Sequence, residues 1–224
     1  MEILQFEFMR NALLVGLLVS VACGMIGTYV VVKRIVFISG GISHTAYGGI
    51  GLGYYLGFNP MLGATLFTII SALGMGLVQQ RSSQRQDTVI GVMWAVGMAL
   101  GIMFVKLSPG YTADLMSYLF GSILTVPQRD ILFILLLDLL IIAAVFRYFE
   151  EFKAIAFDEE FARVSGLKVE FFNILLLILV ALTVVVMIRA VGIILVIALL
   201  TIPPAIAGEF SRGLKGMMGF SVVL

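Results

Sequence analysis

The feature that most constrains this chain is a succession of seven apolar runs, at 11–32, 38–57, 61–78, 88–105, 131–149, 171–188 and 190–207. Each is close to the roughly 20 residues that an α-helix needs to cross a hydrocarbon core of about 30 Å. Backbone polar groups in lipid must be satisfied within the segment, and the runs lack the alternation of barrel strands, so helical spans are expected. Composition agrees: 61% of the 224 residues are hydrophobic and 12% charged, with a mean hydropathy of +1.14, against about 25% charged in a soluble domain. Soluble enzyme folds are thereby excluded. A net charge of +1 provides no basic field for nucleic acid, and one cysteine, Cys23, allows no disulfide framework. The first run is too long for a signal-peptide core, and no small-residue cleavage site precedes Lys33 and Arg34, so it is expected to stay in the chain. Residues 216–224 form a further apolar stretch of nine residues, about 13 Å of helix. They read as a truncated eighth span of a single transmembrane domain, 1–224, whose C-terminal end is missing.

Positively charged loops near span ends are retained in the cytoplasm. An N-terminus-outside arrangement places ten cations inside (Lys33, Arg34, Arg81, Arg85, Arg147, Lys153, Arg163, Lys168, Arg212 and Lys215) and four outside (Arg10, Lys106, Arg129 and Arg189). It requires the mostly apolar segment 113–126 to be an outer interfacial or re-entrant helix. The longest polar interruption, 150–170, then becomes a cytoplasmic loop. No Gly-x4-Gly-Lys-Ser/Thr phosphate loop occurs, so any ATP chemistry belongs to a partner.

Few residues inside the runs can do chemistry. Asp138 stands near the middle of the fifth run, where a carboxylate costs at least ~2.5 kcal/mol. Its own helical face would hold Ile131, Ile134, Leu135, Ile142 and Val145, so a partner must come from elsewhere. It is either a protonated or hydrogen-bonded structural group or a site on an ion path. His44, the single histidine, would share a face with Gly48, Gly51 and Tyr55, while Gly49, Gly53 and Gly57 form an opposite face with small-residue packing spacing. Imidazole is a common divalent-metal ligand, and equally a packing residue. In the polar loop, Asp158 and Glu159 precede Glu160-Phe161-Ala162-Arg163-Val164-Ser165-Gly166. The acidic start, the apolar pair Phe161 and Val164, and a terminal Gly166 describe a short helix, a docking element or an ordinary connector. Asp87 reads as a span-end cap or a gate charge. Arg189 divides two runs and is expected to snorkel outward, and Pro203-Pro204 to kink or break the last span.

Together these segments resemble the membrane permease subunit of bacterial and archaeal ABC transporters for zinc, manganese or iron, over nearly the whole chain. The pieces are Gly40-Gly-Ile-Ser-His44-Thr-Ala-Tyr-Gly-Gly49, Asp87-Thr-Val-Ile-Gly91, Phe157-Asp-Glu-Glu-Phe-Ala-Arg-Val-Ser-Gly-Leu167, and the stretch from Val191 to Ala207 with Thr201-Ile-Pro-Pro-Ala205. The last two, in this order, are the specific part. Two departures stand out: Gly40 where many members carry an acidic residue one helical turn before the histidine, and Pro204 where alanine is usual. Members usually have eight or nine spans.

The resemblance implies an all-α, polytopic bundle of the vitamin B12-type importer permease fold in a prokaryotic cell membrane. It implies no resident cofactor and no catalytic residue, and a divalent metal ion as transported substrate. The partners it implies are a second permease, as a homodimer or pair, two cytoplasmic ATP-binding subunits and an extracytoplasmic metal-binding protein. His44 and Asp138 become candidates for the metal path, and Asp158, Glu159, Glu160, Phe161, Ala162 and Gly166 for the ATPase-coupling loop. The main rival is an ion- or proton-coupled secondary transporter using Asp138. An intramembrane protease ranks low because no Gly-x-Ser-Gly and no Cys/His pair occur, and the same fold carrying a cobalamin- or siderophore-type substrate is a further alternative.

Overall fold

The computed structural model describes residues 6–81, 86–109 and 116–224, which hold helices and no strand. Arg85 and the first part of the 113–126 segment lie outside the described residues. In chain order the helices are α1 (Glu7–Val32), α2 (Val36–Leu56), α3 (Pro60–Arg81), α4 (Gln86–Leu107), α5 (Met116–Phe120), α6 (Gln128–Arg147), α7 (Phe149–Phe157), α8 (Glu159–Val164), α9 (Val169–Phe210) and α10 (Leu214–Val223). Four of them, α1, α3, α4 and α9, are long and apolar enough to cross a membrane, as is α6 taken with α7, from which it is bent by 72°.

The bundle is built around two buried segments. Residues 38–51 of α2 are buried without a gap, and so are 179–188 of α9. They achieve this by different chemistry. The α9 stretch is apolar on every side apart from Thr183, whose hydroxyl donates to the Leu179 carbonyl of its own helix, as a helix enclosed by other helices should be. That of α2 is rich in glycine, so its neighbours approach to backbone contact. Gly49 meets Gly63 of α3, and Gly51 meets Gly101 of α4. Helix association in lipid relies on such close packing, because lipid tails are as apolar as leucine. Around this pair, α1 packs against α9, α10 and α6, while α3 and α4 cover α2. Outward-facing apolar residues such as Leu66, Val92, Val96 and Leu139 are exposed, as lipid-facing side chains are.

The 42-residue α9 is two helices in fact. Gly192 (φ 77°, ψ 164°) interrupts it, in a region that only glycine occupies readily. Asn173 bonds to Lys33, at one end of α1, while Arg189 and Gly192 meet the segment around α5 at the opposite end. Leu199 and Pro204 then lie beside Cys23 and Gly27, so 193–210 returns in the direction of α1. The break falls at Gly192, three positions beyond Arg189, because positive φ is available there.

Residues 116–126 form no continuous interfacial helix. They comprise the five-residue α5, Gly121 at φ 69°, and a 3-10 turn at Ile123–Thr125. A five-residue helix is about 7.5 Å long and crosses nothing. Gly121 and Gly192 touch backbone to backbone, so this segment caps the α9 reversal.

Candidate metal path and coupling site

At the Lys33 end, α7 and α8 are joined through Asp158, whose carboxylate accepts the Phe161 N–H at 2.9 Å and caps α8. The helix closes by a Schellman turn. Leu167 N–H donates to Ala162 C=O at 3.0 Å and Gly166 N–H to Arg163 C=O at 3.1 Å, with Gly166 at φ 87°. Ala162 is buried, as are Phe152 and Ile155 of α7, whereas Phe157, Phe161 and Val164 are exposed. The loop therefore turns one face into the bundle and offers an apolar edge, beside the exposed Glu160, to the outside.

Behind α8 sits Lys33, with its side chain 6% exposed. Its ammonium donates to Glu159 Oε1 at 2.6 Å, Asn173 Oδ1 at 2.9 Å and the Ile155 carbonyl at 3.0 Å. Arg163 pairs with Glu170 at 2.8 Å across an exposed surface. The Glu170 carboxyl is held below its ordinary value by its own backbone N–H and by Arg163. A polar cleft of about 350 Å³ opens between these groups and Gln79 and Gln80 of α3.

His44 lies in the α2–α4 contact, its ring stacked on Trp94 of α4 with centroids 3.7 Å apart and planes at 15°. It is 7% exposed, and Nδ1 has no hydrogen-bond partner among the described residues. The glycines sharing its face do not leave an open lining. Gly48 abuts Gly97 and Phe67, and Gly51 abuts Gly101, so both glycine faces of α2 pack. Only three- and four-residue spacing was available from the sequence, and it could not tell a packed face from an open one. At Gly40, one turn earlier, an added Cβ would stand 2.9 Å from Ile197 Cδ1 and 3.8 Å from Trp94.

Asp138 is 1% exposed, and neither carboxylate oxygen has a hydrogen-bond partner among the described residues. It shares the buried face of α6 with Asp130, Ile134, Ile141 and Val145, whereas Leu135 points outward. The structure does not bring Asp138 and His44 together. α6 packs chiefly against α1 and α9, and α2 against α3, α4 and α9. No group of three or more His, Cys, Asp or Glu side chains able to hold a metal occurs among the described residues.

One expectation, that the prolines break the last span, is corrected, and one, on Arg189, is extended. Pro203 and Pro204 do not break the helix, whose one non-helical residue is Gly192. Each proline frees the carbonyl four residues before it, and both carbonyls are accommodated. The Cys23 thiol donates to Leu199 C=O at 2.7 Å, and Leu200 C=O packs on Gly27, where a Cβ would come within 2.7 Å. Arg189, where the two runs divide, is also held by two side chains. Nε pairs with Asp130 Oδ2 at 2.6 Å, and the guanidinium lies 5.1 Å from the Tyr118 ring centroid.

The arrangement so far is a helical membrane bundle with a small capped helix displayed at one end and isolated buried polar groups within. The profile described as the ABC 3 transport family matches residues 5–224. The chain belongs to this family. A manganese transport system membrane protein, MntC, of Listeria monocytogenes is 33% identical over 216 residues, 96% of this chain and 77% of the relative. A membrane protein of Synechocystis sp. is 54% identical over 217 residues, 97% of this chain and 77% of the relative. Among solved structures, PsaBC from Streptococcus pneumoniae in complex with Fab aligns with a TM-score of 0.87 at 29% identity, over 99% of this chain and 79% of that one.

Membership makes the chain a multi-pass cell-membrane protein, a permease of the metal ABC transport type with the B12-type importer fold. In this ABC 3 permease, reading the sequence missed Lys33, Trp94 and Asp130. Lys33 counted only as one cation among ten, and the polar partners that single it out are more than a hundred residues away. The single tryptophan of the chain was the available signal for Trp94.

Proposed function

We propose that the chain is the transmembrane permease subunit of an ATP-driven importer of divalent metal ions, with manganese the first candidate ahead of zinc and iron. It works as one of a pair, crosses the membrane seven times, and has the Lys33 end in the cytoplasm. ATP-binding subunits dock on α8, and an extracytoplasmic metal-binding protein delivers the ion at the Arg189 end. The observation that carries this reading is α8 itself. It is capped by Asp158, closed by Gly166 and anchored by Ala162, yet holds Phe161 and Val164 in the open next to Phe157. Single exposed apolar residues are ordinary; two on one face of a rigid, acidic-rimmed helix, with a third at the end of the preceding helix, fit a groove on a soluble partner.

His44 belongs to the metal path, supported by a buried imidazole nitrogen, Nδ1, without a hydrogen-bond partner among the described residues. Asp138 belongs to a different level of it, supported by a carboxylate without partners among the described residues. Separate, weak contacts suit an ion that must both enter and leave.

The test is uptake of radioactive manganese and zinc into proteoliposomes holding the complete complex, with and without ATP. Wild type is expected to show ATP-dependent uptake, and Gly166→Pro to abolish it. Proline fixes φ near −65° where 87° is needed, and it removes the N–H that donates to Arg163. The preferred ion identifies the substrate. Uptake that ignores ATP and follows a proton gradient would refute the reading, and normal transport by both His44→Ala and Asp138→Ala would remove the path assignment.

A further inference from the structure

The attachment of α8 to the rest of the bundle is concentrated on one buried charge. The three N–H donors of Lys33 are matched by three acceptors on three elements: the Ile155 carbonyl of α7, Glu159 in the first turn of α8, and Asn173 of α9. Asn173 Nδ2 also donates to Glu159 Oε1 at 3.3 Å, closing the triangle. The other ion pair of this region, Arg163–Glu170, is more than half exposed on both sides and adds little. Removing one partner from a buried, fully bonded charge is costly, so Lys33 and its acceptors are held as a single unit.

Lys33 caps the C-terminus of α1, and the same helix seats the returning half of α9. Cys23 bonds the Leu199 carbonyl, and Gly27 lies against Leu200 and Pro204. From that half, Ile197 reaches over Gly40 of α2, one helical turn from His44. A continuous run of close contacts thus leads from α8 to the interior of the bundle.

We propose that Lys33 is a positioning residue that makes α8, α1 and the start of α9 move as one body, so that displacement of α8 is converted into rearrangement of the spans. This rests on the reading of α8 as the ATPase-docking helix. Lys33 touches neither metal nor nucleotide; its effect lies in the ratio of transport to hydrolysis.

The experiment measures manganese moved per ATP hydrolysed by the complete complex in proteoliposomes, for wild type, Lys33→Met, Lys33→Arg and Asn173→Leu. Lys33→Met is expected to hydrolyse ATP at close to the wild-type rate while moving about tenfold less manganese per ATP. Lys33→Arg, which keeps charge and donors, recovers most of the ratio, and Asn173→Leu shows a smaller drop in the same direction. An unchanged ratio overturns the inference, including the case in which assembly, hydrolysis and uptake fall in proportion, as a merely structural role requires. Should Lys33→Met not assemble, Asn173→Leu decides by the same criterion. A wild-type complex without ATP-dependent uptake refutes the docking reading instead, whereas a working wild type beside an unaltered Lys33→Met ratio refutes this inference alone.

Discussion

Leu199 shows how a single backbone group settles a residue's identity some 176 positions away. Pro203 cannot donate to the Leu199 carbonyl, and in the bundle interior an unpaired carbonyl costs about 1–3 kcal/mol. Cys23 supplies the missing donor, so the cysteine and the proline are one arrangement. Cys23→Ala is expected to destabilise the permease by ~1–2 kcal/mol, and Pro203→Ala to relieve about 1 kcal/mol of that loss because the new N–H replaces the thiol. Unfolding of the two single variants and the double variant in detergent measures the coupling, and strict additivity would contradict it. From the sequence, Cys23 was legible only as a lone thiol inside an apolar run and Pro203 only as a residue that kinks or breaks a helix. His44 was legible as a residue type at an intramembrane position, but its stacking partner, Trp94, is set by how α2 and α4 cross.

Among the elements, the capped helix α8 was the most legible, because its determinants are local: an acidic cap, two apolar residues three apart, and a glycine at the exit. The reversal inside α9 was legible in its place, because Arg189 divides two separate apolar runs three residues before the break, but not in its cause. Arg189 and the prolines drew attention as polar or rigid features, whereas the turn depends on Gly192 meeting Gly121 across more than sixty residues of chain. Gly192→Ala is expected to cost about 1–3 kcal/mol from backbone conformation alone. Its methyl would also run into the Leu119 carbonyl and the backbone of Phe120 and Gly121. Loss of folded, monodisperse protein at wild-type expression temperature is the outcome to look for in size-exclusion chromatography. A variant as stable as wild type would mean that the chain can turn elsewhere. Gly91, where an added Cβ meets nothing within 4 Å, is the control position.

For the whole molecule, the proposed orientation rests on cations gathered at one end, and it is open to direct labelling. Val164 is 88% exposed on α8, and the native Cys23 is buried and offers no background. Val164→Cys is expected to react with a membrane-impermeant maleimide in inside-out vesicles only. Arg129→Cys, exposed at the start of α6, is expected to react in right-side-out cells only. The reverse pattern would invert the proposed topology. At this scale the two intramembrane candidates also separate, Asp138 lying on the α6 side of α1 and α9, and His44 on the α4 side of α2. In this structure the two side chains are therefore not placed to ligate one ion together.

Read alone, the sequence determined what depends on local chemistry and on the solvent. The length and apolarity of the runs force helices in a bilayer, the charged loops predict an orientation, and the α8 caps are written in consecutive residues. The tertiary structure alone decided which polar groups meet. Lys33 with Glu159 and Asn173, Arg189 with Asp130, Cys23 with Leu199, and Gly121 with Gly192 are each far apart along the chain. Inside a membrane nearly every face is apolar, so hydrophobic periodicity, which identifies the core side of a soluble helix, says little about neighbours. Glycine contacts and buried hydrogen bonds set the packing instead, and they exist only once the helices are assembled.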